Sequence, residues 1–468
     1  MAFPKTEYDI VLVQPPAVVV REMYDRPDFP AIALGYLGRY LEEHTNFTVA
    51  IIDARLGRMS FQETLVQILE LKPKIVGLSA MTHMITTAGK VAAGIKKANP
   101  DIKLVLGGFH VSFLPERTLV EFPAFDFAVV GEGEMAFANL VSALMNGTEH
   151  GDIPGVWFPR DGKVVANGRG SIPETLDALG SPAWHLFDGD IMNKYCKSLG
   201  IMGQRGCPFN CNFCSRPYGR LVRMRTPSYI VDEMEHGQRE YGIKRFWFFD
   251  ETFSIDKNYV HKICDDIIRR DMHRRVGWSS MVHANTIDNK LVRKMLDAGN
   301  IHLSFGVESG NERIIAQMGK GVNKEKLIAA AKILHEEKAY FGAYFILGHP
   351  NETIRTMFDS IRFLVKLNPS ESALGIMVPY PGTEIWEMAT RGEAGYRKLS
   401  VNWDDYNKQV GNAVELEHVS RRMLELFQIL GYVCLFLLNF RFSNFVKNLT
   451  THYKLAFSII RKASVGKA

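Results

Sequence analysis

The chain has 468 residues, 46% hydrophobic and 23% charged, enough to bury sizeable cores and to divide into two or three domains. Net charge is +5, yet six basic and no acidic residues follow position 425; the body is near neutral, which argues against nucleic acid as a partner. Six cysteines, three of them inside eight residues, exclude a disulfide framework, and the opening residues lack the basic and apolar regions of a secretory leader, so a cytoplasmic enzyme is expected.

Over the first 150 residues strand and helix patterns alternate. Apolar, β-branched-rich runs at 10–13, 49–52, 75–78, 104–106 and 127–130 are short and bounded by turn formers, as buried parallel strands are. Helical periodicity fills the gaps, notably at 31–43, 61–71 and 86–98. This pattern predicts an α/β, Rossmann-like five-stranded sheet whose ligand crevice lies at the strand C-termini. Small and polar residues collect there: Gln14-Pro-Pro16, Asp53-Ala-Arg-Leu-Gly57, Ser79-Ala-Met-Thr82, Gly107-Gly-Phe-His110 and Gly131-Glu-Gly-Glu134. No G-x-G-x-x-G follows the first strand, which weakens a dinucleotide reading without removing it.

Residues 151–196, with Pro154-Gly155, Gly168-Arg-Gly170, Pro173 and Ser181-Pro182, read as a linker, anchored by Trp184, Leu186 and Phe187. From 200 to about 381 a second series runs, with strands at 200–204, 245–249, 276–279, 302–306, 342–347 and 373–377 and helices such as 230–241 and 257–270. After its first strand stands Arg205-Gly-Cys207-Pro-Phe-Asn-Cys211-Asn-Phe-Cys214-Ser215. The spacing C-x3-C-x2-C supplies three thiolates to one small volume. An iron-sulfur cube normally takes four, so three leave one iron open to a ligand from outside the protein. Zinc at a closed site wants four tetrahedral ligands, and the nearby donors Cys196, His185 and His236 all lie outside the loop. Cys196, Cys264 and Cys434 are read as buried small hydrophobes. Phe209 and Phe213 are expected to cover the cluster, and Arg205 and Arg216 to orient backbone or offset its charge.

This loop resembles that of the radical S-adenosylmethionine (SAM) superfamily. The resemblance implies a (β/α)6 partial barrel over 197–385 and a 4Fe-4S cluster on Cys207, Cys211 and Cys214. In that family the open iron chelates SAM, and an electron from the cluster cleaves it to a 5′-deoxyadenosyl radical. Asp250-Glu251 ends the second strand where the family grips the SAM ammonium; the family's G-G-E-P form is absent, so Asp250 and Glu251 enter by position. Gly306-Val-Glu308-Ser309-Gly310 is similar to G-x-E-S-G, which implies that Glu308 and Ser309 meet the SAM ribose or carboxylate. Gly348-His-Pro-Asn-Glu352-Thr353 resembles G-x-P-x-E-T, with Thr353 or Asn351 capping the next helix, and Pro379-Tyr-Pro-Gly-Thr383 resembles the P-Y-P-G-T after the last strand.

Residues 1–150 resemble the cobalamin-binding (B12-binding) domain that precedes this core in one large enzyme class. That implies a corrinoid lined by Ser79, Thr82, Gly107, Gly108, Gly131, Glu132 and Gly133, glycine letting backbone approach a bulky ring. Where many corrinoid proteins carry D-x-H-x-x-G, this chain has Asp53-Ala-Arg55-Leu-Gly57. The substitution implies a base-off corrinoid with a weakly or water-ligated lower face; His83 and His110 stand at other strand ends.

The two resemblances together imply a cobalamin-dependent radical SAM enzyme that transfers a methyl group through methylcobalamin to an unactivated carbon of a small molecule, with a reductant such as flavodoxin or ferredoxin. Oxidative cyclisation or rearrangement uses the same parts, and a non-catalytic corrinoid or iron-sulfur sensor is the reading from another class. Methylthio transfer is disfavoured, because the first 195 residues hold no cysteine. Residues 386–468 read as a C-terminal helical region, in which Trp386, Trp403 and Tyr406 either line the substrate pocket or pack helices. Its apolar stretch 426–440, interrupted by Gln428 and Asn439, is shorter than the roughly 20 residues of a spanning helix. Beyond it Phe442, Phe445, Leu449, Leu455, Phe457, Ile459 and Ile460 alternate with Lys447, Lys454, Arg461 and Lys462. This mixture predicts peripheral membrane contact with anionic lipid and a lipid-like substrate; the alternative is a helix that caps the barrel or forms a dimer interface.

Overall fold

The computed structural model describes residues 3–16, 27–407 and 412–442. Two compact units form, one of Met1–Pro208, Arg216–Glu251 and Arg269–Trp278, the other of Phe209–Ser215, Thr252–Ile268 and Ser279–Ala468.

In the first unit the five expected strands are present as β1 (Ile10–Gln14), β2 (Val49–Asp53), β3 (Ile75–Ser79), β4 (Lys103–Gly107) and β5 (Phe127–Val129). They are parallel, in the order β2-β1-β3-β4-β5. Ile10, Val11, Leu12 and Val13 have essentially no exposed surface, because helices cover both sheet faces and each strand must be apolar on both. Ser60 starts helix Phe61–Glu70 with a reciprocal capping box to Glu63, which satisfies two otherwise orphaned donors.

The sheet is longer than expected. β6 (Val156–Arg160) and β7 (Lys163–Ala166), both inside the segment read as linker, extend it antiparallel beyond β5. Their connection is Asp161-Gly162, with φ of 52° and 72°, the two left-handed residues that a tight hairpin turn needs. The abundant turn formers around it hid this signal.

The second strand series comprises β8 (Leu199–Ile201), β9 (Gln204–Arg205), β10 (Arg223–Met224), β11 (Arg245–Phe248), β12 (Gly277–Met281), β13 (Asn300–Glu308), β14 (Phe341–Leu347) and β15 (Glu371–Ile376). The expected strand 200–204 is interrupted, β9 pairing antiparallel with β10 instead. The other six strands follow the sheet order β15-β14-β13-β12-β11-β8. In the second unit β13, β14 and β15 are parallel, with Phe305, Phe341, Phe345 and Leu347 in the core.

Trp386, Trp403 and Tyr406 are buried, the two indoles stacked and the Tyr406 ring tilted against both, so they serve as packing in this structure. The apolar stretch at 426–440 is also largely packing. Helix Arg421–Leu438 buries Leu424, Phe427, Gly431 and Leu435, and Phe427 meets the Phe358 ring at 4.8 Å. The two interruptions have partners: Gln428 Nε2 donates to the Leu374 carbonyl at 2.6 Å and Asn439 Nδ2 to that of Val365 at 3.3 Å. Leu438, Phe440 and Phe442 remain exposed, while the alternation expected from Phe445 onward lies outside the described residues. Among the described residues no helix is long and apolar enough to cross a membrane.

Deleting the Phe427 ring leaves a cavity that this helix cannot collapse without losing its bond to Leu374. Phe427→Ala is expected to cost about 3 kcal/mol, measured as a lower urea midpoint at unchanged m-value.

Candidate cofactor site

Strand C-termini gather the chemistry in both units. In the first, Ser79 ends β3 and buried Thr82 opens the short helical turn after it, its Oγ1 lying 3.3 Å from His110 Nδ1. Burial pushes His110 down to about 3, so it is neutral at any ordinary pH. The two glycines after β4 have different duties. A Cβ at Gly108, where φ is +97°, would strike the Ala80 backbone at 2.6 Å, whereas a Cβ at Gly107 would meet nothing nearer than the Leu78 carbonyl at 3.9 Å. Gly108 is required by the neighbouring strand end; Gly107 leaves open surface. At the turn after β2, buried Asp53 accepts from Ala31 N at 2.8 Å and Leu56 N at 2.9 Å, and its carboxylate thereby shapes the loop that carries Arg55.

After β5 the structure adds ion pairs that the sequence reading did not include. Gly131 and Gly133 border a turn whose two carboxylates point to arginines. Glu132 accepts from Arg205 Nη1 at 2.6 Å and, with its other oxygen, from Arg223 Nη2; Glu134 accepts from Arg205 Nη2 at 2.6 Å. All four side chains are nearly or largely buried. Burial alone would raise the Glu134 carboxyl, but the Arg205 guanidinium beside it holds it below the usual carboxylate range. Glu132 is thus an ion-pair partner with both oxygens engaged.

Arg205 introduces the cysteine loop. Gly206 has φ +97°, and a Cβ there would run into the Leu221 carbonyl, so only glycine fits immediately before Cys207. Cys207 N donates to Gly219 O at 3.1 Å and Cys214 N to Cys211 O at 3.2 Å. Asn212 is tied by its backbone N to Met318 O at 2.9 Å and by Nδ2 to Gln317 O at 3.1 Å. The aromatic residues of the loop pack on histidines: Phe209 stacks on His283 at 3.7 Å, and Phe213 meets His349 edge-on at 6.1 Å. Burial pushes both histidines down to about 4.

Further acidic residues stand at the end of β11 in the first unit and of β13 in the second. Buried Asp250 accepts from the Gln204 backbone N through Oδ1, and burial raises its carboxyl to about 8; Glu251 beside it is raised to about 7, also by burial. Glu308 follows a β-bulge and has φ +67°, a conformation costly for a residue with a side chain. Lys320 Nζ holds it there, donating to Glu308 Oε1 at 2.5 Å and to the Gly306 carbonyl at 2.6 Å. Ser309 has no exposed surface; its hydroxyl accepts from Asn311 N and lies 3.3 Å from Ser360 Oγ. In this conformation its hydroxyl shapes the turn. Glu352 accepts from Gly348 N, His349 N and Thr356 Oγ1, and Thr353 caps helix Ile354–Leu367. Sequence reasoning missed Lys320 and Arg223; the signal for Lys320 was a lone lysine between Gly319 and Gly321, both of positive φ.

The B12 binding domain family matches residues 25–141 and the radical SAM superfamily residues 201–364. Over 435 residues, 92% of each chain, the protein is 31% identical to an uncharacterized methyltransferase of Pyrococcus horikoshii. The chain belongs to the cobalamin-binding radical SAM enzymes. It is also 30% identical, over 81% of its length and 69% of the relative's, to the anaerobic magnesium-protoporphyrin IX monomethyl ester cyclase of Rubrivivax gelatinosus. The fold is shared with the radical SAM methyltransferase TsrM of Kitasatospora setae, solved with cobalamin and a 4Fe-4S cluster, at TM-score 0.71 and 17% identity over 92% of this chain and 89% of that one.

A cobalamin-binding radical SAM enzyme uses a 4Fe-4S cluster, SAM and cobalamin, and the donor chemistry here suits them. No set of three His, Cys, Asp or Glu side chains among the described residues converges on a single ion; an iron-sulfur cube asks instead for soft thiolates, each on its own iron, and the three cysteines of the loop, none in a disulfide, match three of its four irons. At Gly107 the missing side chain leaves room for a ring.

Asp250 gives the family's second strand end a titration that can be read. Its carboxyl ionises near 3.9 in an unfolded chain and at about 8 in the fold, where burial disfavours the charge. Between these values the folded chain keeps a proton that the unfolded chain has lost, so this group's contribution to stability declines as pH rises. Asp250→Asn is therefore expected to lose less thermal stability than the wild type between pH 5 and pH 8.

Proposed function

We propose that this enzyme methylates an unactivated carbon of a small-molecule substrate, using cobalamin as the methyl carrier. The observation that carries this reading is one chain holding both a three-thiolate loop and a corrinoid-type sheet, aligned almost end to end with a methyltransferase. When bound, the cluster with SAM supplies a hydrogen-abstracting radical, and cobalamin supplies the methyl group. Cys207, Cys211 and Cys214 would hold the cluster. Glu308, fixed by Lys320, and Asp250 with Glu251 would orient SAM, while Ser79, Thr82, Gly107, Gly131 and Gly133 would border the corrinoid. Hydrogen abstraction by a radical needs no side-chain base, and none is nominated.

The similarity to the cyclase supports a second reading, radical oxidation or ring formation without methyl transfer. Reconstituted enzyme given SAM with a trideuterated methyl group, a low-potential reductant and an extract of its host separates the two. Methylation predicts 5′-deoxyadenosine together with a product carrying three deuterons, both lost in Cys211→Ala. Turnover to 5′-deoxyadenosine with an unlabelled product would transfer the case to cyclisation.

We also propose that a flavodoxin- or ferredoxin-like donor reduces the cluster and that the basic tail touches a membrane surface, consistent with an apolar substrate. Flotation with anionic liposomes tests the tail. The full chain is expected to float, and a chain truncated after Phe442, which keeps the packed helix Arg421–Leu438, is expected to stay behind. Salt should weaken the binding.

A further inference from the structure

The roots of the cysteine loop are wired to the two glycine turns assigned above to the corrinoid. From the turn after β4, exposed Phe109 meets the Tyr218 ring edge-on at 6.1 Å. Tyr218 in turn lies 5.0 Å beneath the Arg205 guanidinium. From the turn after β5, Glu132 and Glu134 take both forks of Arg205, and Glu132 takes Arg223. Arg169, packed beside Gly131, donates to the Pro217 carbonyl at 3.1 Å. Gly131 N is itself bonded to Ser112 Oγ at 3.0 Å, which leaves that turn little independent freedom.

The buried ions of this knot are two arginines, Arg205 and Arg223, and two glutamates, so they balance and are shielded from water; Arg169 is exposed and reaches only into its edge. A buried pair of this kind contributes little net stability, because desolvation offsets attraction; what it enforces is geometry, since removing one member strands a buried charge. An arginine bridging two carboxylates fixes both their spacing and their plane. Arg205 lies two residues before Cys207, with only Gly206 between. Any displacement of the turn Gly131–Glu134 is therefore passed to the first cluster ligand through a rigid fork.

We infer that Arg205 is a positioning residue that couples the corrinoid turns to the cluster loop, so that corrinoid binding at the first sheet alters the setting of the iron-sulfur cluster. This rests on the cofactor assignment made under the proposed function. It also assigns Glu132 a part other than direct contact with the ring: it acts through arginine.

The test uses the full-length enzyme carrying its iron-sulfur cluster, with hydroxocobalamin as the probe. Two quantities are read in wild type, Arg205→Met, Arg205→Lys, Glu132→Gln, Glu134→Gln and the double Arg205→Met/Glu134→Gln. One is the dissociation constant for the corrinoid. The other is the change in the cluster's midpoint potential and reduced-state paramagnetic signal when corrinoid is added. In the wild type, corrinoid should shift both cluster readouts. In Arg205→Met and Glu134→Gln the shift should vanish and corrinoid binding weaken roughly tenfold, within the usual range of coupling between sites. The double variant should be no worse than Arg205→Met alone, the non-additivity of residues in one network, and Arg205→Lys, which keeps the charge but not the fork, should restore part of the shift. Should Arg205→Met fail to fold, isosteric Glu132→Gln carries the same expectation. A wild-type cluster indifferent to bound corrinoid, or variants with full iron that respond as the wild type does, would overturn the coupling and leave the cofactor assignment standing. A wild type that binds no corrinoid would overturn both.

Discussion

A guanidinium with almost no exposed surface has to be neutralised where it stands, and Arg205 is such a group. Taking it out of water without partners would cost several kcal/mol, so the fold has to bring carboxylates to it. It does so from positions 71 and 73 residues earlier in the chain, on a turn that the parallel sheet holds at the end of β5. The position of Cys207, the first cysteine of the loop, thus depends on a sheet that contributes none of the three. The same logic recurs within each unit: in the first, Asp250 turns back to the Gln204 backbone, and in the second, Lys320 restrains the left-handed Glu308. Each of these polar groups serves the shape of a loop first, and through it the chemistry.

How much of this was legible in sequence follows from the range of each interaction. Apart from the short pair β9–β10, the strands of both series were legible because a continuous apolar run is a purely local signature. The cysteine spacing was legible because all its information lies within eight residues. The hairpin β6–β7 was overlooked although Asp161-Gly162 is a strong turn signal, because the surrounding prolines and glycines suggested a linker. Arg223 had no such signature and Lys320 only its two flanking glycines: their partners are 91 and 12 residues away, and a charge pair leaves no periodicity behind. Ser309 shows a different limit of motif reading. Its motif context pointed to a ligand, while its complete burial directs it to Ser360.

The C-terminal stretch illustrates a different ambiguity. An apolar run of fifteen residues with two amides can meet lipid or protein, and the amides decide. Gln428 and Asn439 each find a backbone carbonyl of the barrel, which turns two apparent defects in an apolar stretch into attachment points. The aromatic trio Trp386, Trp403 and Tyr406 resolves in the same direction, toward packing.

The glycines flanking the cysteine loop bear on the life of an oxygen-sensitive cofactor. Gly206 lies so close to the Leu221 carbonyl, and Gly319 so close to that of Asn210, that the backbone on each side is set by protein contacts alone. Metal-dependent mini-domains such as zinc fingers collapse when their ion leaves; a loop restrained by its own packing has no need to. A chain that loses its cluster to air would then keep the backbone contacts at Gly206 and Gly319 that shape the loop.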